Sequence, residues 1–214
     1  LADERSRSVF RDIMEYRATG RLEPLLRSMD EDSESWKLLD IGDDEVFFDG
    51  GAYNGDTVRR FLSFADSWEG IYAAEPDPRS FRKLSAFAGS LPHVRLINAA
   101  LDSKPGKIPF TFGRGRGNRK GGDGMIDAVS IDSVLDGNRV SIIKLDVEGE
   151  EENALLGARR SISAFRPHLV VSAYHRIDDL WKLPDLIDSI EPGYQYMLRR
   201  SICIPCWDAE YFCI

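Results

Sequence analysis

The sequence is poor in cysteine and has no long apolar run. Its three cysteines all follow residue 200 of 214. They make no disulfide framework and predict a reducing compartment, so we expect a cytoplasmic protein. No apolar stretch approaches the roughly 18 residues that a membrane-spanning helix needs, and we expect no membrane span. The first eight residues have neither a signal-peptide pattern nor an initiator methionine, which is consistent with a segment of a longer protein.

Basic residues are scarce relative to acids. The chain has 28 Lys and Arg against 36 Asp and Glu, a formal net charge of −8. This balance argues against a general surface for nucleic acid or anionic membranes, so we expect neither as a partner. The exception is Gly113–Gly124, where six glycines and four basic residues occur in twelve positions. Its composition predicts a solvated, flexible loop, with a lid or an anion-binding arm as the alternative.

The overall composition predicts a globular protein with one large domain. Hydrophobic residues make up 43% and charged residues 30% of the chain, which is typical of that class. Residues 1–40 are charge-rich with helical periodicity, so we predict a helical N-terminal extension before a main domain at 41–214. The extension is interpreted as solvated with one packed face. A cap over the domain, a part of the substrate site and a homodimer interface remain open.

The most informative stretch of the N-terminal half is Val46–Thr57, with the sequence VFFDGGAYNGDT. An apolar β run ends at an acid and small residues, and a helix is expected from Asp56. Glycines in a strand-to-helix turn let the backbone approach a ligand closely, and the first N–H groups of the helix favour a negative group. The pattern indicates a nucleotide-type cofactor pocket, although an ordinary tight turn would also account for it.

Strands alternate with helices along the rest of the chain, which predicts an α/β fold with a largely parallel sheet. The predicted strands after the first are Gly70–Ala74, Val94–Ala99, a short strand beginning at Ala128, Ile142–Val147, His168–Tyr174, and a closing pair at Tyr194–Arg199 and Asp208–Ile214. Helices are predicted at Asp56–Ala65, from Pro78 through Phe87, and at Leu180–Ile190.

Acidic residues gather where these strands end, at Asp49, Glu75, Asp102, Asp146 and Glu148. Ligands of open parallel sheets bind at the carboxyl ends of the strands, so this edge is the predicted site. Lys144 lies inside an apolar strand, where an internal salt-bridge cluster would explain it. His175 follows the fifth strand at the same edge and is a candidate catalytic base, with a packed polar residue as the alternative.

No metal site is predicted, although one alternative stays open. Cys203 and Cys206 match C-x-x-C but lack the second ligand pair that zinc requires, so we interpret them as loop packing. Carboxylates at Asp146 and Glu148 leave a divalent cation as the open alternative.

Several motifs together resemble the FkbM family of S-adenosylmethionine-dependent methyltransferases over about residues 45–214. They are DGGAYNGDT (Asp49–Thr57), AAEPDPRSF (Ala73–Phe81), NAALDS (Asn98–Ser103), VSIDSVL (Val129–Leu135) and KLDVEGEEENALLGA (Lys144–Ala158). Arg200 stands where related sequences often have histidine. The resemblance implies a class I methyltransferase (Rossmann-like) fold, a seven-stranded, mostly parallel sheet with helices on both faces and an antiparallel last strand.

The resemblance also implies methyl transfer from S-adenosyl-L-methionine to a hydroxyl of a sugar, a polysaccharide precursor or another small molecule. The implied cofactor-binding residues are Asp49, Gly50, Gly51, Ala52, Asn54, Gly55, Thr57, Glu75, Pro76, Ala100, Asp102 and Asp146. The implied catalytic residues are His175 as the first candidate base, Asp146 as the second, Glu148 and Lys144. Glu75 is expected to accept the two ribose hydroxyls.

Two other function classes remain open at this point. An NAD-dependent Rossmann oxidoreductase also has a glycine turn and an acid after the second strand, but the glycine pattern here is G-G-A-x-x-G rather than G-x-G-x-x-G. A non-catalytic, methyltransferase-like binding module is the second alternative, because a fold does not prove an activity.

Overall fold

The computed structural model describes residues 1–111, 119–120, 124–202 and 209–214. Most of Gly113–Gly124, together with Cys203 and Cys206, lies outside the described residues, so the predictions for both segments stay predictions. Within the described chain, residues 41–167 form one compact unit, and residues 1–40 with 168–214 form another. The division into an extension and a main domain stays a prediction. No helix of the described chain is both long and apolar enough to cross a membrane.

The described helices and strands alternate through most of the chain. The helices are α1 (Glu4–Thr19), α2 (Glu23–Arg27), α3 (Asp32–Trp36), α4 (Asp56–Phe61), α5 (Pro78–Ala88), α6 (Ile131–Leu135), α7 (Glu151–Leu156), α8 (Arg159–Phe165) and α9 (Asp179–Ile190). The strands are β1 (Val46–Gly50), β2 (Gly70–Ala74), β3 (Val94–Ile97), β4 (Ala100–Leu101), β5 (Gly106–Thr111), β6 (Arg119–Lys120), β7 (Gly124–Val129), β8 (Ile142–Leu145), β9 (His168–Ser172), β10 (Tyr196–Arg200) and β11 (Ala209–Cys213).

In the unit 41–167, β1 is the central strand and pairs in parallel with β2 and β8. Every residue of β1 is buried, as expected for a strand covered on both faces. The ring of Phe47 stacks on Phe61 of α4 with centroids 4.7 Å apart, which packs the helix after the glycine turn onto the sheet. The register pairs Asp49 with both Ala73 and Lys144. The ends of β1, β2 and β8 therefore reach the same edge.

In the other unit, the N-terminal helix is bonded to a strand near the C-terminus. Ser6 of α1 accepts a hydrogen bond from the Leu198 N–H at 2.9 Å, and Arg199 forms an ion pair with Asp3 at 2.6 Å. The helix ends at Thr19 and is capped by Gly20, which has a left-handed φ of 69°, a conformation that glycine favours. Arg200 is fully buried and donates to the Leu25 carbonyl at 3.2 Å, so its side chain anchors α2.

The larger sheet has seven strands in the order β10-β11-β9-β8-β1-β2-β3. Its last strand, β11, is antiparallel to β9 and to β10, whereas β1 is parallel to β2 and β8 and β2 is parallel to β3. This arrangement confirms the predicted α/β fold. A second sheet, in the order β4-β7-β5-β6, was not predicted.

Several predicted elements end earlier than expected, and the structure gives a reason for two of them. The strand predicted at Val94–Ala99 stops at Ile97, and residues 100–101 pair with β7 in the second sheet instead. The helix predicted at Asp56–Ala65 ends at Phe61. Its last turn tightens, because Ser63 donates to the Arg60 carbonyl and Phe64 to the Phe61 carbonyl, each at 3.0 Å, which is three-residue rather than four-residue spacing.

Candidate active site

The glycine turn after β1 is required by close backbone packing. Gly51 has a φ of +79°, and a Cβ there would stand 1.9 Å from the carbonyl oxygen of Asp146. Gly55 precedes α4 with a φ of +86°, and a Cβ there would meet Phe87 at 2.8 Å. The N–H groups of Gly51 and Ala52 both donate to the Ala74 carbonyl at 3.0 Å. Only glycine combines this φ with so little space.

Glu75, directly after β2, is held by two backbone donors. Its Oε2 accepts from the Tyr53 N–H at 2.9 Å, and its Oε1 accepts from the Asp77 N–H at 2.8 Å. The side chain is 5% exposed. Burial raises the pKa of Glu75 to about 7, although the two backbone bonds oppose the increase. Each carboxylate oxygen has a further lone pair, so the ionised group can accept two more donors.

Three residues that support Glu75 were not among the predicted site residues. Tyr53 directs its N–H at Glu75 from a left-handed φ of 45°. Asn98 donates its side-chain amide to the Glu75 carbonyl at 2.8 Å. Asp77 caps α5 by accepting from the N–H groups of Arg79 and Ser80 at 2.7 and 2.9 Å. An acid directly before Pro78 is a signal for a helix start, whereas Tyr53 and Asn98 have no comparable signal.

Lys144 on β8 lies between two carboxylates. Its Nζ is 3.7 Å from Asp49 Oδ1 and 3.7 Å from Asp146 Oδ2. Asp49 is fully buried and Lys144 is 4% exposed. Burial raises the pKa of Asp49 to about 6, opposed by the charge of Lys144. The internal salt-bridge cluster considered for Lys144 is therefore present, and its ends are the predicted site residues Asp49 and Asp146.

The turn after β8 has an uncommon backbone conformation. Glu148 is exposed and has a φ of +55°, followed by Gly149 at +93°. The Asp146 N–H donates to the Gly50 carbonyl at 3.0 Å, which joins this turn to the glycine turn. Left-handed residues other than glycine are uncommon and often mark functional sites.

The remaining predicted cofactor residues also belong to the unit 41–167. Asp102 follows β4 and is 8% exposed, and its Oδ1 accepts from the N–H and hydroxyl of Ser103. A Cβ at Gly157 would stand 2.3 Å from the Asp102 carbonyl, so the backbone there is closely packed. The others are Ala100 in β4, Pro76 after Glu75, Asn54 in the glycine turn and Thr57 in α4.

His175 belongs to the other unit, three residues beyond the end of β9. Its ring is partly buried and lies against that of Tyr174, with centroids 4.1 Å apart. Its role as a base stays a prediction, as do the roles of the other predicted site residues.

The geometry of the unit 41–167 fits a nucleoside-bearing cofactor. A turn that has no room for a Cβ at Gly51 and Gly55 leads into α4, and a carboxylate held by two backbone donors lies at the end of the neighbouring strand. The glycines let the turn pack closely against the Asp146 carbonyl and the Phe87 ring. The carboxylate supplies acceptors for a pair of hydroxyls. Gly51, Gly55 and Glu75 are the residues that could hold such a group.

Comparisons with known proteins agree with this architecture. A methyltransferase from the FkbM family of Methylobacillus flagellatus KT has the same fold with a TM-score of 0.88 and 26% identity, and the match covers 100% of this chain and 56% of that one. The SMU.1697c protein of Streptococcus mutans, solved in complex with S-adenosylhomocysteine, shares the fold alone, with a TM-score of 0.54 and 12% identity over 87% of this chain and 100% of that one.

Sequence comparison gives the same family. The curated 2-O-methyltransferase NoeI of Sinorhizobium fredii is 32% identical over 77 residues, which are 36% of this chain and 31% of NoeI. This chain thus spans about a third of NoeI and about half of the Methylobacillus protein. Residues 49–198 match the family model described as the methyltransferase FkbM domain. The predicted resemblance is confirmed, and the chain belongs to the FkbM methyltransferase family.

Proposed function

We propose that this chain transfers a methyl group from S-adenosyl-L-methionine to a hydroxyl oxygen of a sugar, a polysaccharide precursor or another small molecule. Support for methyl transfer comes from the family match over residues 49–198. Support for oxygen as the acceptor comes from NoeI, which is named a 2-O-methyltransferase. The acidic net charge of −8 favours a small or carbohydrate acceptor over nucleic acid.

The observation that carries this proposal is the position of Glu75. Its two oxygens each accept one backbone N–H and keep lone pairs for two further donors. Adjacent ribose hydroxyls are a pair of donors at the matching spacing. The neighbouring turn at Gly51 and Gly55 would hold the methionine end of the cofactor, and Asp102 would border the adenine.

Catalysis on this proposal consists mostly of alignment. The bound cofactor supplies a methyl group already activated on a sulfonium. The protein aligns the acceptor oxygen with it, an effect worth up to about 7–11 kcal/mol in favourable cases. A neutral sugar hydroxyl is a poor nucleophile, so a base that removes its proton adds about 10²–10⁴-fold. His175 is the first candidate for that base and Asp146 the second.

Lys144 and Glu148 complete the proposed site. Lys144 balances the charge of Asp49 and Asp146, to which it is ion-paired, and so limits the repulsion between two carboxylates at the strand ends. Glu148 is exposed in the turn after β8, where it would contact a hydroxyl-rich acceptor. The proposal also includes a cytoplasmic location and the homodimer that the sequence left open.

The test is an unbiased search for the methyl acceptor. The protein is incubated with methyl-labelled S-adenosylmethionine and separate fractions of cell extract that contain small molecules, carbohydrates, protein or nucleic acid. The labelled product is then identified by mass spectrometry. The proposal expects label in an O-methyl group of the small-molecule or carbohydrate fraction. Label in nucleic acid would contradict the acceptor class, and cofactor binding with no transfer to any fraction would favour the non-catalytic alternative.

A further inference from the structure

The turn that carries Asp146 and Glu148 is bonded to a buried side chain that the proposed mechanism does not use. Glu151 is the first residue of α7 and is 1% exposed. We propose that Glu151 is a positioning residue for methyl transfer, acting through Asp146 and Glu148. This inference rests on the proposed function.

One carboxylate oxygen of Glu151 accepts hydrogen bonds from the residues before and after Glu148. Its Oε1 accepts from the Val147 N–H at 2.9 Å and from the Gly149 N–H at 3.4 Å. The first distance is that of a full hydrogen bond, and the second is a weak contact. Val147 also directly follows Asp146, so the stronger bond restrains both acids of the turn through the backbone.

The backbone conformation of Glu148 indicates that the turn needs such a restraint. Its φ of +55° lies in the left-handed region, and Gly149 follows at +93°. A residue other than glycine keeps this conformation when its surroundings impose it. Glu148 itself is exposed, so burial of its own side chain does not impose it. The hydrogen bonds from Val147 and Gly149 to Glu151, on either side of Glu148, help to hold it in this conformation.

The start of the same turn is fixed from β1. The Asp146 N–H donates to the Gly50 carbonyl at 3.0 Å, and the Asp146 carbonyl stands where a Cβ of Gly51 would be. The turn is therefore held at Asp146 by the glycine turn, and at Val147 and more weakly at Gly149 by Glu151. Asp146 and Glu148 are presented from this restrained backbone.

Removal of the carboxylate should impair transfer more than cofactor binding. In Glu151→Ala the Val147 and Gly149 N–H groups lose this acceptor, and the turn can shift. A displacement of about 1 Å near the reacting atoms costs up to about 10²-fold in rate, so we expect turnover to fall at least about tenfold. Affinity for S-adenosylhomocysteine should change by less than about threefold, because the hydrogen bonds that hold Glu75 and the glycine turn do not involve Glu151. Glu151→Gln keeps an acceptor oxygen and should recover most of the activity.

The experiment compares wild type, Glu151→Ala, Glu151→Gln and the matched control Glu152→Ala, which removes an exposed acid from the same turn of α7. Turnover is measured with labelled S-adenosylmethionine and the extract fraction that accepts label. S-adenosylhomocysteine affinity is measured by calorimetry, and amide exchange at Val147 and Leu145 by NMR. We expect faster exchange at Val147 but not at Leu145 in Glu151→Ala, with lower turnover and near-normal affinity.

Three results would overturn the inference while leaving the proposed function intact. The first is turnover of Glu151→Ala within about twofold of an active wild type, and the second is unchanged exchange at Val147. A loss of turnover that Glu151→Gln does not recover, with faster exchange throughout β8, would indicate a merely structural residue and also overturn it. A wild type that neither binds S-adenosylhomocysteine nor transfers label would instead contradict the proposed function, and this inference with it.

Discussion

The backbone N–H of Tyr53 donates to Glu75 Oε2 at 2.9 Å, which joins the glycine turn after β1 to the acid after β2. Tyr53 makes this bond with a left-handed φ of +45°. The bond orients the carboxylate that the proposed function assigns to the ribose. The affinity of the site therefore depends on the protonation state of a carboxyl whose pKa burial raises to about 7.

Cofactor affinity should rise with pH between pH 6 and pH 8. The pKa of Glu75 in the folded protein is about 7, and ribose hydroxyls donate to the ionised form. About a tenth of the Glu75 carboxyl is ionised at pH 6 and about nine tenths at pH 8. The Kd for S-adenosylhomocysteine should therefore be about tenfold higher at pH 6 than at pH 8. Calorimetry measures this change. In Glu75→Gln the affinity should be nearly independent of pH, and a pH dependence equal to that of wild type would contradict the assignment.

The glycine turn offers a matched pair of substitutions. Gly51 and Gly137 both have positive φ, +79° and +84°, but only at Gly51 does a Cβ meet a neighbouring atom within 4 Å, the Asp146 carbonyl oxygen at 1.9 Å. Gly137→Ala should cost about 1–2 kcal/mol of unfolding free energy for backbone strain alone. Gly51→Ala should cost about 3 kcal/mol or more, because the backbone of two strand-end turns must separate.

Urea denaturation measures both variants, and S-adenosylhomocysteine binding by the folded fraction is the second measurement. Equal losses of stability in Gly51→Ala and Gly137→Ala would show that close packing against Asp146 does not constrain this turn.

Lys144 should stabilise the fold in a pH-dependent manner. Lys144→Met leaves Asp49 buried without this counter-charge, which should cost about 3 kcal/mol or more when Asp49 is ionised. The pKa of Asp49 is raised to about 6 even beside Lys144 and rises further without it. A raised pKa in the folded state means that stability is lost as pH increases through it. The destabilisation should therefore be smaller at pH 5 than at pH 8.

The double variant Asp49→Asn, Lys144→Met tests whether the loss in Lys144→Met comes from the unpaired charge of Asp49. It removes both charges, so it should recover much of the stability that Lys144→Met loses at pH 8. Chemical denaturation at the two pH values is the measurement. A loss in Lys144→Met that is independent of pH would contradict the ion pair as its cause.

The sequence was sufficient to predict the apolar strands of the larger sheet and the acids at their ends. The apolar run of β1 and the acids at or just after the ends of β1, β2 and β8 place Asp49, Glu75 and Asp146 at one edge. The second sheet could not be predicted, because β4 and β6 have two residues each and so short a strand shows no alternation.

The left-handed backbone conformations of Tyr53 and Glu148 could not be predicted from the sequence either. Glycine signals a positive φ at Gly51 and Gly55, but nothing in the side chains of Tyr53 or Glu148 signals theirs. The Tyr53 N–H bonds to Glu75, which lies 22 residues further along the chain. The turn at Glu148 is bonded to Glu151, which lies in the helix that follows it. Their roles become visible only in three dimensions.

The proposed base has a natural control among the three histidines. His175→Asn should lower turnover by about 10²-fold or more while leaving S-adenosylhomocysteine affinity unchanged, because a base acts on the acceptor and not on the cofactor. His93→Asn is the control: His93 is exposed with a φ of +57°, which asparagine tolerates. Turnover is measured with labelled methyl donor. Near-normal turnover in His175→Asn would exclude this base and leave Asp146 as the next candidate.

The central claim is that the glycine turn and Glu75 hold S-adenosylmethionine, and calorimetric titration with S-adenosylhomocysteine at pH 8 tests it most directly. We expect one site per chain in wild type, binding at least about tenfold weaker in Glu75→Gln because charge-assisted hydrogen bonds are lost, and unchanged binding in Glu69→Gln, an exposed acid ion-paired with Arg139. NAD should not bind. Wild type that binds NAD but not S-adenosylhomocysteine, or Glu75→Gln that binds as wild type does, would contradict the claim.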